Sequence, residues 1–262
     1  MPQSNISQNI FSIARNTLRE AVRDRILYNL IIFVLLITSA AAVLGELSGG
    51  QEGRVIVDLG LSAVLIFGAF ISIFVGVSLV WKEIEKKTVY AIFAKPISRW
   101  EFIVGKYLGL CVTLFLNIAV MALGVLLALM YVRSSSLIVP MLSASVLIYF
   151  ELTILTGVAI LFSSFSTPAL SAMLTFMVFL IGHFSSSLRE FAASMNSSTA
   201  TVVFDVIYYA LPNLSNFSFI VNAANAQTAP FAMIADAALY ALIIDAVLLV
   251  IAAAVFSRRN FK

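Results

Sequence analysis

Apolar residues run in long unbroken stretches along this chain, separated by short charged or polar segments. Six stretches reach or approach the roughly 20 residues that a membrane-crossing helix needs. They are residues 26–44, 55–81, 103–132, 137–162, 169–184 and 237–256, the fifth being the shortest. Runs such as Ile31-Ile32-Phe33-Val34-Leu35-Leu36-Ile37 do not alternate with period two, so strands of a barrel are set aside. The pattern predicts an all-α integral membrane protein with a six-span domain over residues 26–256.

Two flanking segments carry a different pattern. Within residues 1–25, Ile6, Ile10, Ile13, Ala14, Leu18, Ala21 and Val22 fall at helical spacing, with Arg15, Arg19 and Arg23 on other faces. This predicts an amphipathic helix lying in the membrane interface before the first span. Some 25 positions with polar residues precede the first apolar run, which is unlike a signal peptide. Between the fifth and sixth spans lie residues 185–236, first Ser-rich, then half apolar and broken at Pro212-Asn213. A seventh span there would carry Arg258 and Arg259 to the far side, so the segment is expected to form two re-entrant helices. A backbone break at membrane depth needs protein or water around it.

Composition agrees with this reading: 61% of the 262 residues are hydrophobic and 11% charged, against roughly 25% charged in soluble domains. A soluble enzyme and a disordered chain are both excluded. One cysteine (Cys111) and one histidine (His183) forbid an internal disulfide and argue against a dedicated metal site. Lys and Arg decide orientation, because they stay on the cytoplasmic side. Thirteen of the sixteen fall in the N-terminal segment, the second loop with its flanks, and the tail 257–262; Arg54, Arg133 and Arg189 fall opposite. Both termini are therefore expected in the cytoplasm.

The second loop, residues 82–102, is the most informative segment. A charged helical start, Lys82-Glu83-Ile84-Glu85-Lys86-Lys87, passes through Thr88 into an apolar strip of Val89, Tyr90, Ile92 and Phe93. Lys95-Pro96 stop it. Ser98 with Glu101 three residues later forms a capping box that launches the third span. A short helix lying across the cytoplasmic face with an apolar strip edged by charge wants a partner with a groove; the competing reading is a membrane-surface helix without a protein partner.

Glu83-Ile84-Glu85-Lys86-Lys87-Thr88, then Ala94-Lys95-Pro96-Ile97-Ser98-Arg99-Trp100-Glu101-Phe102, then Gly105-Lys106, resembles the cytoplasmic loop of ABC-2 type transporter permeases. Ala14-Arg15-Asn16-Thr17-Leu18-Arg19-Glu20 through Arg25 is similar to that family's N-terminal interfacial helix. The nearest branch is the single-domain permeases that include the one serving nitrous oxide reductase maturation, although Lys87 stands where glycine is frequent. The resemblance implies a permease subunit of an ATP-driven exporter in the bacterial cytoplasmic membrane, without enzymatic activity of its own. Two permease chains, a homodimer by preference over a heterodimer, would each pair with a separate cytoplasmic ATPase that holds ATP and Mg; this chain needs no cofactor. Residues 82–93 would be the coupling helix. Lys82, Glu83, Glu85, Lys86, Thr88, Tyr90, Phe93, Pro96, Arg99 and Glu101 would transmit ATPase motion. Membrane lipid and an extracytoplasmic accessory protein fit as further partners; nucleic acid does not.

Two features mislead. Leu47-Ser48-Gly49-Gly50-Gln51 spells the ABC ATPase signature, but it sits in the first loop, away from cytoplasmic ATP, and is read as a turn. Gly105-Lys106 is no P-loop, because Tyr107 replaces the Mg-binding Ser/Thr and Trp100 the first glycine. Glu151 and Asp245 fall near the middles of the fourth and sixth spans, and Asp58 near the outer end of the second. With no Lys or Arg at matching depth, each acid must face the bundle interior or water, or be protonated. A relay or substrate site is the functional reading; an interhelical hydrogen bond, to Asn117 or Thr153 for example, is preferred. His183 and Met121, Met130, Met173 and Met177 are read as structural. An ion-coupled secondary transporter using Glu151 and Asp245 is the alternative function, but it leaves the loop motif unexplained. An intramembrane enzyme lacks a nucleophile–base pair.

Overall fold

The computed structural model describes residues 6–21, 49–85, 98–188 and 211–258, with isolated positions between 32 and 43 and between 204 and 208. The described chain is helical, with no strand among the described residues. The described helices include, in order, α1 (Ile6–Ala21), α2 (Glu52–Glu85), α3 (Arg99–Tyr131), α4 (Ile138–Ser163), α5 (Pro168–His183), α6 (Ile220–Ala224) and α7 (Phe231–Arg258). Two 3-10 turns, Ser135–Leu137 and Leu214–Phe217, precede α4 and α6.

Helices α2, α3, α4 and α7 are long and apolar enough to cross a membrane, and α5 is a shorter apolar helix of 16 residues. These five coincide with the predicted second to sixth spans, each starting or ending a few residues further out. The first predicted span, 26–44, lies largely outside the described residues; within it Phe33 and Ile37 are helical and buried in the core. Local sequence explains the boundaries. Gly49 (φ 58°) and Gly50 (φ 94°) turn the chain into α2 through left-handed backbone that only glycine adopts freely. The signature-like pentapeptide thus ends in a turn. Thr167 and Pro168 open α5 as N-cap and first helical residue.

Helix α4 is the hub of the bundle, packing against α2, α3, α5 and α7. Its buried face includes Leu147, Leu152, Leu155 and Ala159. Small residues let neighbours approach it: a Cβ on Gly76 of α2 would stand 3.0 Å from Ala159 Cβ, and one on Gly68 would collide with Leu152. Between membrane helices, where burial from water no longer drives association, such close contact is the main attraction.

The amphipathic helix forms as expected, but its apolar residues divide. Ile10, Ile13, Ala14 and Thr17 turn toward α3, while Phe11 is exposed with Leu18 beside it, and Arg15 and Arg19 face away. One face of this amphipathic helix is therefore packed against α3. The charged stretch Lys82–Glu85 is the last turn of the 34-residue α2 and not the start of a separate helix. Residues 86–97, which carry the rest of the predicted coupling helix, lie outside the described residues.

Candidate functional site

Three helices meet where the chain leaves the second loop. Ser98 is the N-cap of α3 in extended backbone, and its N–H donates to Glu101 Oε2 at 3.1 Å. Glu101, buried at 4% exposure, also accepts from Asn9 Nδ2 of α1 at 3.2 Å. The capping box read from the sequence thus has a third member 92 residues away. Next to it, Arg99 Nη1 donates to the carbonyl oxygens of Phe256 at 3.1 Å and Ser257 at 2.7 Å. These are carbonyls of the final turn of α7, where helix ends lack internal donors and favour positive charge. The Phe102 and Phe256 rings stack 5.8 Å apart beneath that cap.

One turn further along α3, Gly105 and Gly109 admit α1. A Cβ on Gly105 would stand 2.7 Å from Ile13 Cβ; one on Gly109 would stand 2.6 Å from Thr17 Cβ and 2.7 Å from the Ala14 carbonyl oxygen. Gly105-x-x-x-Gly109 is therefore the small-residue seam of a helix crossing. Between the two glycines Lys106 is almost wholly buried, with its ammonium 3.6 Å from Glu20 Oε2 and 5.8 Å from the Phe102 ring centroid. The residues that suggested a P-loop fragment thus form a helix–helix joint. The arrangement holds no nucleophile–base pair; what it offers is a mechanical connection of α1, α3 and α7.

The predicted coupling residues divide accordingly. Arg99 and Glu101 are drawn inward to the joint. Lys82, Glu83 and Glu85 lie on the last turn of α2, and Lys86, Thr88, Tyr90, Phe93 and Pro96 lie outside the described residues. Sequence reading missed Asn9, Glu20 and Gly109. The glycine spacing was a usable signal for the last; nothing local marks the other two.

The intramembrane acids also separate. Asp58 is exposed near the start of α2 and does not enter the bundle. Glu151 is 1% exposed, and its Oε1 lies 3.0 Å from His183 Nδ1 at the end of α5. Its partner is neither Asn117 nor Thr153: Asn117 Nδ2 donates to the Thr113 carbonyl and Thr153 Oγ1 to the Phe150 carbonyl, both within their own helices. The basic group at the depth of Glu151 is thus a histidine and neither a lysine nor an arginine. Asp245, 6% exposed, is hydrogen-bonded by Tyr107 of α3 and by Thr153 of α4, the interhelical contact expected of Thr153, while its Oδ1 lacks a hydrogen-bond partner.

The end of α5 is tied to the break at Pro212-Asn213. A Cβ on Gly182 would meet the Pro212 carbonyl oxygen at 2.8 Å. Asn213 is the centre of a polar knot. It accepts from Ser185 Oγ at 2.6 Å and from Ser215 N–H at 3.1 Å, and its own N–H and Nδ2 donate to the Tyr240 and Tyr208 hydroxyls at 2.9 and 3.0 Å. The backbone break predicted here is real, and side chains satisfy it as an apolar surround requires. Of the two expected re-entrant helices, the one before Pro212 falls largely outside the described residues; after the break come the Leu214–Phe217 turn and the short α6, which packs on α2 and α4.

Residues 11–261 match the family model described as ABC-2 family transporter protein. No curated protein matches the chain.

Proposed function

The chain belongs to the ABC-2 transporter family, and from that premise we propose that it is the transmembrane permease subunit of an ATP-driven exporter. Two copies pair, each binding a separate cytoplasmic ATPase that supplies the ATP and Mg chemistry. Both termini and the 82–102 loop face that ATPase. Lys82, Glu83, Glu85, Lys86, Thr88, Tyr90, Phe93 and Pro96 form the docking segment, and Arg99 and Glu101 receive its movement.

The observation that carries this reading is the joint at the start of α3. A displacement of Ser98 cannot stay local, because Glu101 holds α1 through Asn9 and Arg99 holds the end of α7. Interfaces built on such close contact shift between discrete arrangements and do not stretch continuously. The loop therefore delivers ATPase closure to three helices at once.

The test is gentle extraction of the tagged protein from its native membrane, with the ratio of co-purifying ATPase measured. One ATPase per permease is expected. Glu83→Lys or Phe93→Asp should remove it. Arg99→Gln should retain the ATPase while its activity no longer responds to the permease. A permease that purifies alone, under conditions that keep other transporters intact, would overturn the reading.

A further inference from the structure

A cavity of about 420 Å³ opens on the bundle surface between α3, α4 and α7. Its polar wall is Tyr107, Tyr149, Thr153 and Asp245; the rest is apolar, with Cys111 and Ala246 among the lining. The volume falls within the roughly 300–1,000 Å³ of small-molecule sites. Exposed Leu108 and Leu242 edge it, so its mouth has an apolar rim of the kind hydrocarbon favours.

Asp245 makes the cavity specific. Among the described residues the polar groups that face it are Tyr107 and Thr153, with Tyr149 and Cys111 beyond them, none of them a cation. An acid in hydrocarbon without a positive partner is costly and marks a functional site by default. A ligand that brings its own positive charge on an apolar body removes that cost. We propose that this cavity binds an amphiphilic amine, whose ammonium pairs with Asp245 and whose chain lies along the apolar wall.

Depth selects the source of the amine. Asp245 lies near the middle of the 28-residue α7, about 20 Å from either end at 1.5 Å per residue. The amine of a phospholipid is fixed at headgroup level and does not reach it; a free amphiphile moving within the bilayer does. The proposal stands apart from the pairing with an ATPase and does not depend on it.

Binding of tetradecylamine and tetradecanol to the full chain in phosphatidylcholine nanodiscs, with empty nanodiscs as the partition baseline, tests it. Asp245→Asn should weaken the amine at least tenfold and the alcohol less than twofold. Ala246→Trp places a ring in the mouth from an exposed position, leaves the core untouched, and should weaken both. Equal amine binding by wild type and Asp245→Asn would overturn the proposal, as would an Ala246→Trp variant that binds both probes normally. Adding phosphatidylethanolamine to the nanodiscs should not change the amine affinity. A tenfold loss there would overturn the assignment to a free amphiphile.

Discussion

Arg99 Nη1 lies 2.7 Å from the Ser257 carbonyl oxygen, so the first residue of α3 closes the last turn of α7. The two residues are 158 positions apart. This contact makes the two membrane helices one lever at the end where the loop emerges, and it places the family-like Ser98-Arg99-x-Glu101 motif in a structural role.

Replacing Arg99 with Gln leaves the two carbonyls without their cationic donor. The expected loss is about 1 kcal/mol for a partly exposed charge-assisted bond, seen as a lowered midpoint in thermal scans of the extracted protein. Lys at this position should recover only part of it, since one ammonium does not reproduce the fork of a guanidinium. Equal midpoints for wild type and Arg99→Gln would show that the cap carries no stability.

At Gly109 the expected effect is on α1. Gly109→Ala puts a methyl group 2.6 Å from Thr17 Cβ, an overlap that costs about 1–3 kcal/mol when neighbours cannot move. Because Ala14 meets the same point with its backbone oxygen, relief requires the whole helix to shift. Limited proteolysis should then cut α1 faster in Gly109→Ala than in wild type. An unchanged rate would mean that α1 accommodates the methyl in place.

The Glu151–His183 pair yields a coupled prediction. Removing one member leaves the other's polar group without its hydrogen-bond partner, which costs about 1–3 kcal/mol. Glu151→Gln and His183→Leu should each destabilise strongly, and the double variant less than their sum. Thermal midpoints arranged as a double-mutant cycle read the interaction directly. Additive losses would show that the 3.0 Å contact contributes nothing.

Asn213→Ala should be more damaging than most single changes on this side of the bundle. It removes the acceptor of Ser185 and Ser215 and the donor to Tyr208 in one step. Buried groups left without partners cost about 1–3 kcal/mol each. Asn213→Asp keeps the acceptors and should lose less. Hydrogen exchange at the Leu214–Phe217 turn is the measurement, with faster exchange in the order wild type, Asp, Ala.

The membrane class, the four long apolar helices, the shorter α5 and the Ser98–Glu101 box could be read from the chain, because each is written in local pattern: unbroken apolar runs and an acid three positions after a cap. The joint could not. Asn9 meets Glu101 and Arg99 meets Ser257 only through folding, and no periodicity encodes those distances. Glu151 shows a different limit. The sequence exposed the acid and placed His183 at the end of the fifth span, but that this end comes level with Glu151 in the neighbouring helix is set by packing between α4 and α5 alone. Lys106 shows a third: beside a glycine it imitates a phosphate-binding lysine, and only the Cβ-free approach of α1 explains why that glycine is there.

Helix α5 has one more consequence. Sixteen residues make a rod of about 24 Å, some 6 Å less than a typical hydrocarbon core of about 30 Å. Beyond Phe184 the described chain is helical again over residues 185–188, and Ser185 of that stretch is tied to the Asn213 knot. Bilayer thickness is thus felt unevenly around the molecule: a thicker membrane strains the α5 side at a fraction of a kcal/mol per Å and leaves the sides of α3 and α7 at ease. If α5 crosses the bilayer, a change of lipid composition is expected to act as a lateral load applied beside the Glu151–His183 contact.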